Sequence, residues 1–320
     1  MPEAIGYFQQ VLEVAEELDD PELLAIPSLT IGAVMVVQGH LDKGKALLSK
    51  AIPASEQMGK WSEWCRAVGH RSYALSMSGD CASGVAEAQR AVARAKEISS
   101  LGEIAMSNVF LSVAYLYAGD LPHAIEAGRK GAEAGEQSKE RIFVCLGNAW
   151  RGWAEGRAGD FEAAKASMAR SQIVQDELGG KIIGADWIAA INAEIALGME
   201  RVEEALALAE RAVGIAQKMG GIFAEGLARQ VRGQALAALD PPRWDEAEDQ
   251  LKESLRLLES GQHRVEAAYT HLAWGSVCHN RGNPTAAREH WEQATAQFEA
   301  SDLLQELGRI RTLLADLGSK

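Results

Sequence analysis

A small-polar pair punctuates the chain at Gly39-His40, Gly79-Asp80, Gly119-Asp120 and Gly159-Asp160, so the glycines recur every 40 residues. The series continues less regularly at Gly198-Met199, at the Asp240-Pro241-Pro242 corner and at Gly282-Asn283. Each junction follows a stretch of apolar-periodic residues. A fixed period of this size marks a stack of equal supersecondary units, each burying its apolar face against its neighbours. That constraint frees the 320 residues from needing one large central core.

The junctions share one physical logic. A helix that runs into Gly ends in a left-handed residue at no steric cost, and an Asp or Asn just after it caps the next helix by accepting from free N–H groups. Pro122 and Pro284 fall in the first turn of that next helix, where a missing N–H costs nothing. About five residues past the turn stand Ala124, Ala164, Ala205, Ala247 and Ala287, small enough to let two antiparallel helices approach closely. Helix formers dominate, only 8 Pro occur, and aromatic residues make up 6%, so the chain reads as all-α. The pattern predicts sixteen helices: 2–18, 22–38, 42–57, 61–78, 82–98, 101–118, 122–137, 141–158, 162–178, 181–197, 201–218, 222–239, 243–259, 262–281, 284–299 and 302–316. No Pro/Gly/Ser-rich linker divides them, so residues 1–320 read as a single domain.

Gly159-Asp160-Phe161-Glu162-Ala163-Ala164 resembles the turn of the tetratricopeptide repeat, here with a unit of 40 residues rather than the usual 34 or so. The resemblance implies a right-handed superhelical solenoid of antiparallel hairpins in which the first helix of each pair lines a concave groove. The longer unit resembles the sensor arrays of maltose-activator-type transcription regulators and the C-terminal arrays of bacterial proteins that join a cyclase to an AAA-type ATPase. The stretch Ala273-Trp274-Gly275…Arg281-Gly282-Asn283…Ala286-Ala287-Arg288-Glu289…Ala294…Phe298-Glu299 carries that second likeness. The first helix reads as a second helix without its partner, which predicts a fragment of a longer protein.

Charge and cysteine usage exclude several roles. With 32 Lys and Arg against 45 Asp and Glu, the formal charge is −13 and no basic run appears, which argues against direct nucleic-acid binding and against an anionic membrane surface. Cys65, Cys81, Cys145 and Cys278 lie far apart with no C-x-x-C spacing, as in a reducing compartment. The N-terminus has no basic segment followed by an apolar core, and no apolar stretch reads as a membrane span. A cytoplasmic protein is expected.

The motifs that suggest chemistry have simpler explanations. Gly39-His40-Leu41-Asp42-Lys43-Gly44-Lys45 matches the start of a phosphate-binding loop, but Ala46 stands where Ser or Thr should hold magnesium, no strand precedes it, and it coincides with a repeat junction. His263, His271 and His279 are eight residues apart, about 12 Å along a helix for each step, too far to chelate one metal. They read as partly exposed surface histidines, with His290 able to meet His279. The cysteines read as small apolar packing. No catalytic residue, metal or cofactor is assigned, and enzymatic activity is not expected.

Binding is expected instead in the concave groove. Counting back from the junctions places Arg66, His70, Tyr73, Phe110, Tyr117, Trp150, Trp153, Arg157, Trp187, Arg229 and Tyr269 there, together with Val109. Aromatic and Arg side chains concentrate binding energy, and together they suit a peptide or a ligand with an anionic end; the competing reading is that the aromatics fill seams between hairpins. Asn108 and Asn148 share a first-helix position, but no matching Lys completes a carboxylate clamp. The expected function is a scaffold that binds a peptide or helix of a partner protein or of another domain of the same parent; the alternative is a regulatory array that senses a small effector or an intramolecular domain and controls a cyclase, ATPase or transcription module. A homodimer through one solenoid end is a further expectation.

Overall fold

The computed structural model describes residues 2–18, 20–180 and 182–318. Among them are sixteen α-helices and no strand: α1 (Pro2–Leu18), α2 (Pro21–Gln38), α3 (Leu41–Gln57), α4 (Trp61–Met77), α5 (Cys81–Glu97), α6 (Leu101–Tyr117), α7 (Leu121–Ser138), α8 (Arg141–Arg157), α9 (Phe161–Glu177), α10 (Ala185–Gly198), α11 (Val202–Met219), α12 (Ile222–Ala237), α13 (Trp244–Ser260), α14 (Arg264–Asn280), α15 (Pro284–Ala300) and α16 (Leu304–Gly318). The pairs α2–α3 through α14–α15 are seven stacked hairpins. The even-numbered helices face the axis of the superhelix.

The junction chemistry forms as the sequence dictates. Asp80, Asp120, Asp160 and Asn283 each accept from the N–H three residues on, which satisfies one orphan donor of the new helix. Gly79 and Gly159 before two of these caps take φ of 97° and 82°, where a side chain would be strained. The five expected alanines are fully buried, and Ser112 donates to the Ala124 carbonyl across the hairpin at 2.8 Å. The fifth junction departs from the series. Its left-handed residue is Glu200 (φ 60°), while Gly198 stays inside α10, so the marker read from sequence lies two residues too early.

Helix limits follow the expected ones closely except at α10, which begins at Ala185 rather than 181. The connection after Glu177 holds Gly179, Gly180 and Gly184 in left-handed conformations, which keeps the helix from starting. As a result α9 barely touches α10, whereas α5 and α7 lie closely along α6 and α8.

Successive hairpins curl tightly enough for early and late ones to meet. The His263 imidazole donates from Nε2 to the Gly39 carbonyl at 3.1 Å, across 224 residues of sequence. A Cβ at Gly39 would lie 2.9 Å from that nitrogen and 3.0 Å from Ile222 Cβ. The phosphate-loop look-alike is therefore a filled turn, and its Lys45 is paired with Asp42 at 2.9 Å. Further along, Gly79 lies against Ser301, and α14 packs on α4. An open repeat array contacts only its neighbours; this one closes on itself. α2 carries one charged residue in 18 and a mean hydropathy of 1.5, making it, among the described residues, the one helix long and apolar enough to cross a membrane. That departs from the sequence expectation. Here α2 packs between α1, α3 and α4 as the inner helix of the first hairpin.

Candidate functional site

The inner helices send an aromatic column down the axis. Tyr73 of α4 meets Phe110 of α6 edge-on at 4.6 Å and stacks on Trp187 of α10 at 6.2 Å. Trp187 contacts Trp150 of α8 at 5.6 Å and Phe223 of α12 at 4.3 Å. Trp153 lies between Tyr117 and Phe223 at 5.9 and 6.1 Å, and His263 ends the column 5.3 Å from Phe223. Tyr73, Phe110, Tyr117, Trp150, Trp153 and Trp187 are all buried, as is Val109. The inner face that sequence spacing marks as a groove is at these positions the core of a closed superhelix. Hydrophobic burial explains why: rings of this size gain more by meeting across the axis than by facing water.

Below the column a charged cluster bridges three helices. Arg157 of α8 donates to Glu194 of α10 at 3.1 Å and to Glu266 of α14 at 2.8 Å. Trp153 Nε1 donates to the second Glu194 oxygen at 2.8 Å. The Arg157 guanidinium stacks 4.7 Å from the rings of both Trp153 and Tyr269. Burial opposes the charge on Arg157, but the two carboxylates overcome it and hold its pKa well above the ordinary value. Burial raises the Glu266 carboxyl despite Arg157. Truncating one partner of such a pair strands the other charge.

Arg157 and Glu194 of this cluster line a cleft of about 670 Å³. Tyr269 lines it too, joined by Gln230 and Gln234 of α12, Ser276 of α14 and Arg309 of α16. Tyr269 donates to Glu306 at 3.1 Å, which ties α14 to α16. Arg309 is exposed and forms no ion pair among the described residues. Gln230, Gln234 and Arg309 were not singled out from sequence. Gln230 and Gln234 precede the long corner at 238–243 and Arg309 follows the last junction, so the regular spacing does not mark them, whereas Tyr269 is reached as counted.

The remaining expected groove residues separate by location. Arg66 pairs with Glu103 of α6 at 3.1 Å and stays half exposed. His70 is half-buried, edge-on to Phe110 at 4.7 Å, and its Nδ1 bonds the Arg66 carbonyl. Arg229 pairs with Glu225 at 2.7 Å and donates to Gln250 of α13 at 3.0 Å. It therefore faces the outer helix rather than the axis, because the Pro-containing corner lengthens the junction from which it was counted. Asn108 and Asn148 donate to their own helices, at Ile104 and Val144.

The histidines and cysteines are packing elements. His263 and His271 are buried rather than partly exposed. His290 meets His271, nitrogen to nitrogen at 3.0 Å, rather than His279, and stacks on Trp274 at 4.3 Å. Among the described residues no group of three or more His, Cys, Asp or Glu is placed to hold a metal ion. All four cysteines are buried and free. Burial pushes the Cys65 and Cys81 thiols up to about 12, so they lack the thiolate character that reactivity requires.

No protein-family model matches the sequence, and no curated protein does. Solved structures do. The chain is similar to aspartyl phosphate phosphatase F from Bacillus subtilis, with a TM-score of 0.62 and 14% identity over 89% of this chain and 73% of that one. It is similar to a Rap protein complexed with competence and sporulation factor, with a TM-score of 0.66 and 14% identity over 92% and 77% of the two chains. A signal transduction ATPase with a tetratricopeptide repeat sensor, from Pyrococcus horikoshii, gives a TM-score of 0.52 and 14% identity over 96% of this chain and 46% of that one. The shared feature is the fold: a tetratricopeptide-like helical solenoid.

Proposed function

We propose that residues 1–320 act as one non-catalytic scaffold that takes up a peptide segment of a partner protein in the cleft lined by Arg157 and Tyr269. The cleft itself carries the reading. Its 670 Å³ gather Gln side chains of α12, Ser276 of α14 and Arg309 of α16, and an extended peptide needs such donors and acceptors for its backbone amides. The unpaired Arg309 suits a carboxylate on that peptide. Related uses of this fold support binding as the output. The Rap structure is a complex with competence and sporulation factor, and the archaeal ATPase carries its repeats as a sensor. Selection of a displayed random-peptide library against the chain, followed by titration of the enriched peptides, tests the proposal. Gln234→Trp, which plugs the cleft, and Arg309→Ala should each weaken those peptides about tenfold or more, the value of one charged or buried contact. Enriched peptides indifferent to both changes sink it.

A second reading has its own observation. Arg157 joins α8 and α10 to α14, so it belongs both to the cleft and to the closure of the superhelix. A ligand that competes for it would loosen that closure and change curvature, the output required of a sensor array that controls a module elsewhere in a parent chain. Scattering profiles recorded with and without a cleft-binding peptide distinguish the readings: a scaffold keeps its radius, a sensor expands.

A further inference from the structure

A second cavity, of about 970 Å³, lies on the outer face between α9 and α11. Its floor is a stripe of α10, Ile188, Asn192 and Ile195, continued by the capping residue Met199, whose spacing puts them on one helical face. Asn192, which donates to the Ile188 carbonyl at 3.0 Å, is the one polar member of the stripe. In the preceding hairpins the equivalent stripe is covered. Leu111 and Ala114 of α6 pack under Ala88 and Val92 of α5, and Gly147 of α8 abuts Gly128 and Ala132 of α7. α9 fails to cover α10 because the glycine-rich connection displaces it. The rim carries apolar side chains that water should not face: Ile183 is 60% exposed and Met219 40%.

Charge distinguishes the occupant. Of the ionisable residues lining the cavity, Arg201 is paired with Glu204 at 3.4 Å and Asp176 accepts from Gln172. Lys165, Arg211 and Lys218 are exposed, with no ion pair among the described residues. Four cations against the carboxylates of Asp176 and Glu204 leave this lining net basic, and a net basic rim on a chain of formal charge −13 selects an acidic partner. We propose that this groove seats an amphipathic helix of a partner protein, its apolar stripe on α10 and its acidic side chains toward Lys165, Arg211 and Lys218. Such a helix fills the place that α9 leaves open. The groove shares no lining residue with the cleft.

The probe is a fluorescein-labelled synthetic helix of about five turns with leucines along one stripe and glutamates on both flanks, titrated against the full chain by fluorescence anisotropy. Its twin carries lysine for every glutamate. The acidic peptide should bind about tenfold tighter than the twin, the value of three surface ion pairs, and Lys165→Glu/Arg211→Glu/Lys218→Glu should reverse that order. Ala169→Trp, an exposed change on the α9 wall, should weaken the acidic peptide without altering the circular-dichroism melt. The proposal is overturned if the acidic peptide fails to bind, if the twin binds equally, or if neither variant changes the affinity. It is equally overturned by a dimer in sedimentation that Ile183→Asp abolishes, which gives the groove to a second copy. Binding to phosphatidylglycerol vesicles that the triple variant loses would give it to a lipid surface.

Discussion

Trp187→Ala tests whether the axis is core. The ring is 2% exposed and lies 4.3 Å from Phe223, 5.6 Å from Trp150 and 6.2 Å from Tyr73. Truncating a buried tryptophan to alanine costs about 3–5 kcal/mol, and each aromatic pair adds about 0.5–1.5 kcal/mol beyond its area. With three such neighbours the loss belongs at the upper end, about 5 kcal/mol. That is a third or more of the 5–15 kcal/mol that holds a typical domain folded. The indole nitrogen has no hydrogen-bond partner, so the loss is packing alone, and Trp187→Phe should recover much of it. Urea denaturation followed by circular dichroism gives the magnitude, and amide hydrogen exchange locates it. Tyr73 belongs to a hairpin three removed from that of α10, so protection should fall in α4 as well as in α10 and α12. A loss below about 1 kcal/mol, the range of an unremarkable substitution, refutes the reasoning. So does an exchange effect confined to the hairpins adjacent to α10.

Two further perturbations follow from the same packing. Burial lowers the pKa of His263 to about 3, and burial with His290 lowers His271 to about 4, against about 6.5 in an unfolded chain. Below pH 6.5 the unfolded state therefore binds protons that the folded state refuses. Stability falls toward acid by up to about 1.4 kcal/mol per pH unit for each histidine, until the folded-state values are reached. The urea midpoint measured at pH 7, 6 and 5 should decline, and His263→Gln should flatten that decline; an unchanged slope in the variant contradicts the assignment. Ala164→Leu overpacks a fully buried contact between α8 and α9 and should cost about 1–3 kcal/mol by urea unfolding, whereas Ala166→Leu on the exposed face of the same helix should stay within about 0.5 kcal/mol.

The architecture was legible because it rests on local chemistry. Gly79-Asp80 and Gly159-Asp160 announce a left-handed residue and a cap, and both form as read; Ala124 and Ala164 announce close helix approach, and both are fully buried. What the local signals do not encode is curvature. Trp150 and Trp153 sit on the inner face as counted, yet whether that face is a groove or a core depends on how far each hairpin rotates on the last, a sum of many small packing angles. The closing contacts, such as His263 to Gly39, are too distant in sequence for a periodic pattern to reveal. Register loosens where a junction lacks its glycine: Glu200 rather than Gly198 supplies the left-handed turn, Trp187 still falls on the axis, and the corner at Pro241 misplaces Arg229. The gap over α10 had a visible signal in Gly179-Gly180 and Gly184, a cluster unlike any other connection.

Closure of the superhelix makes the aromatic face a core, and one cross-link measures it. A Cβ built at Gly79 lies 3.8 Å from Ser301 Cβ, inside the roughly 3.5–4.5 Å that a disulfide spans. In a Cys81→Ala background, Gly79→Cys/Ser301→Cys should oxidise in dilute solution to an internally linked monomer, with faster migration on a non-reducing gel and a mass lower by two hydrogens. Gly159→Cys/Ser301→Cys serves as the control, because Gly159 shares the left-handed φ of Gly79 (82° against 97°), which matches the strain of the new side chain, while its Cβ meets nothing within 4 Å. Quantitative linkage of the first pair alone is the expected result. A first pair that stays reduced, or links no faster than the control, would mean that the superhelix is open and its aromatic face free.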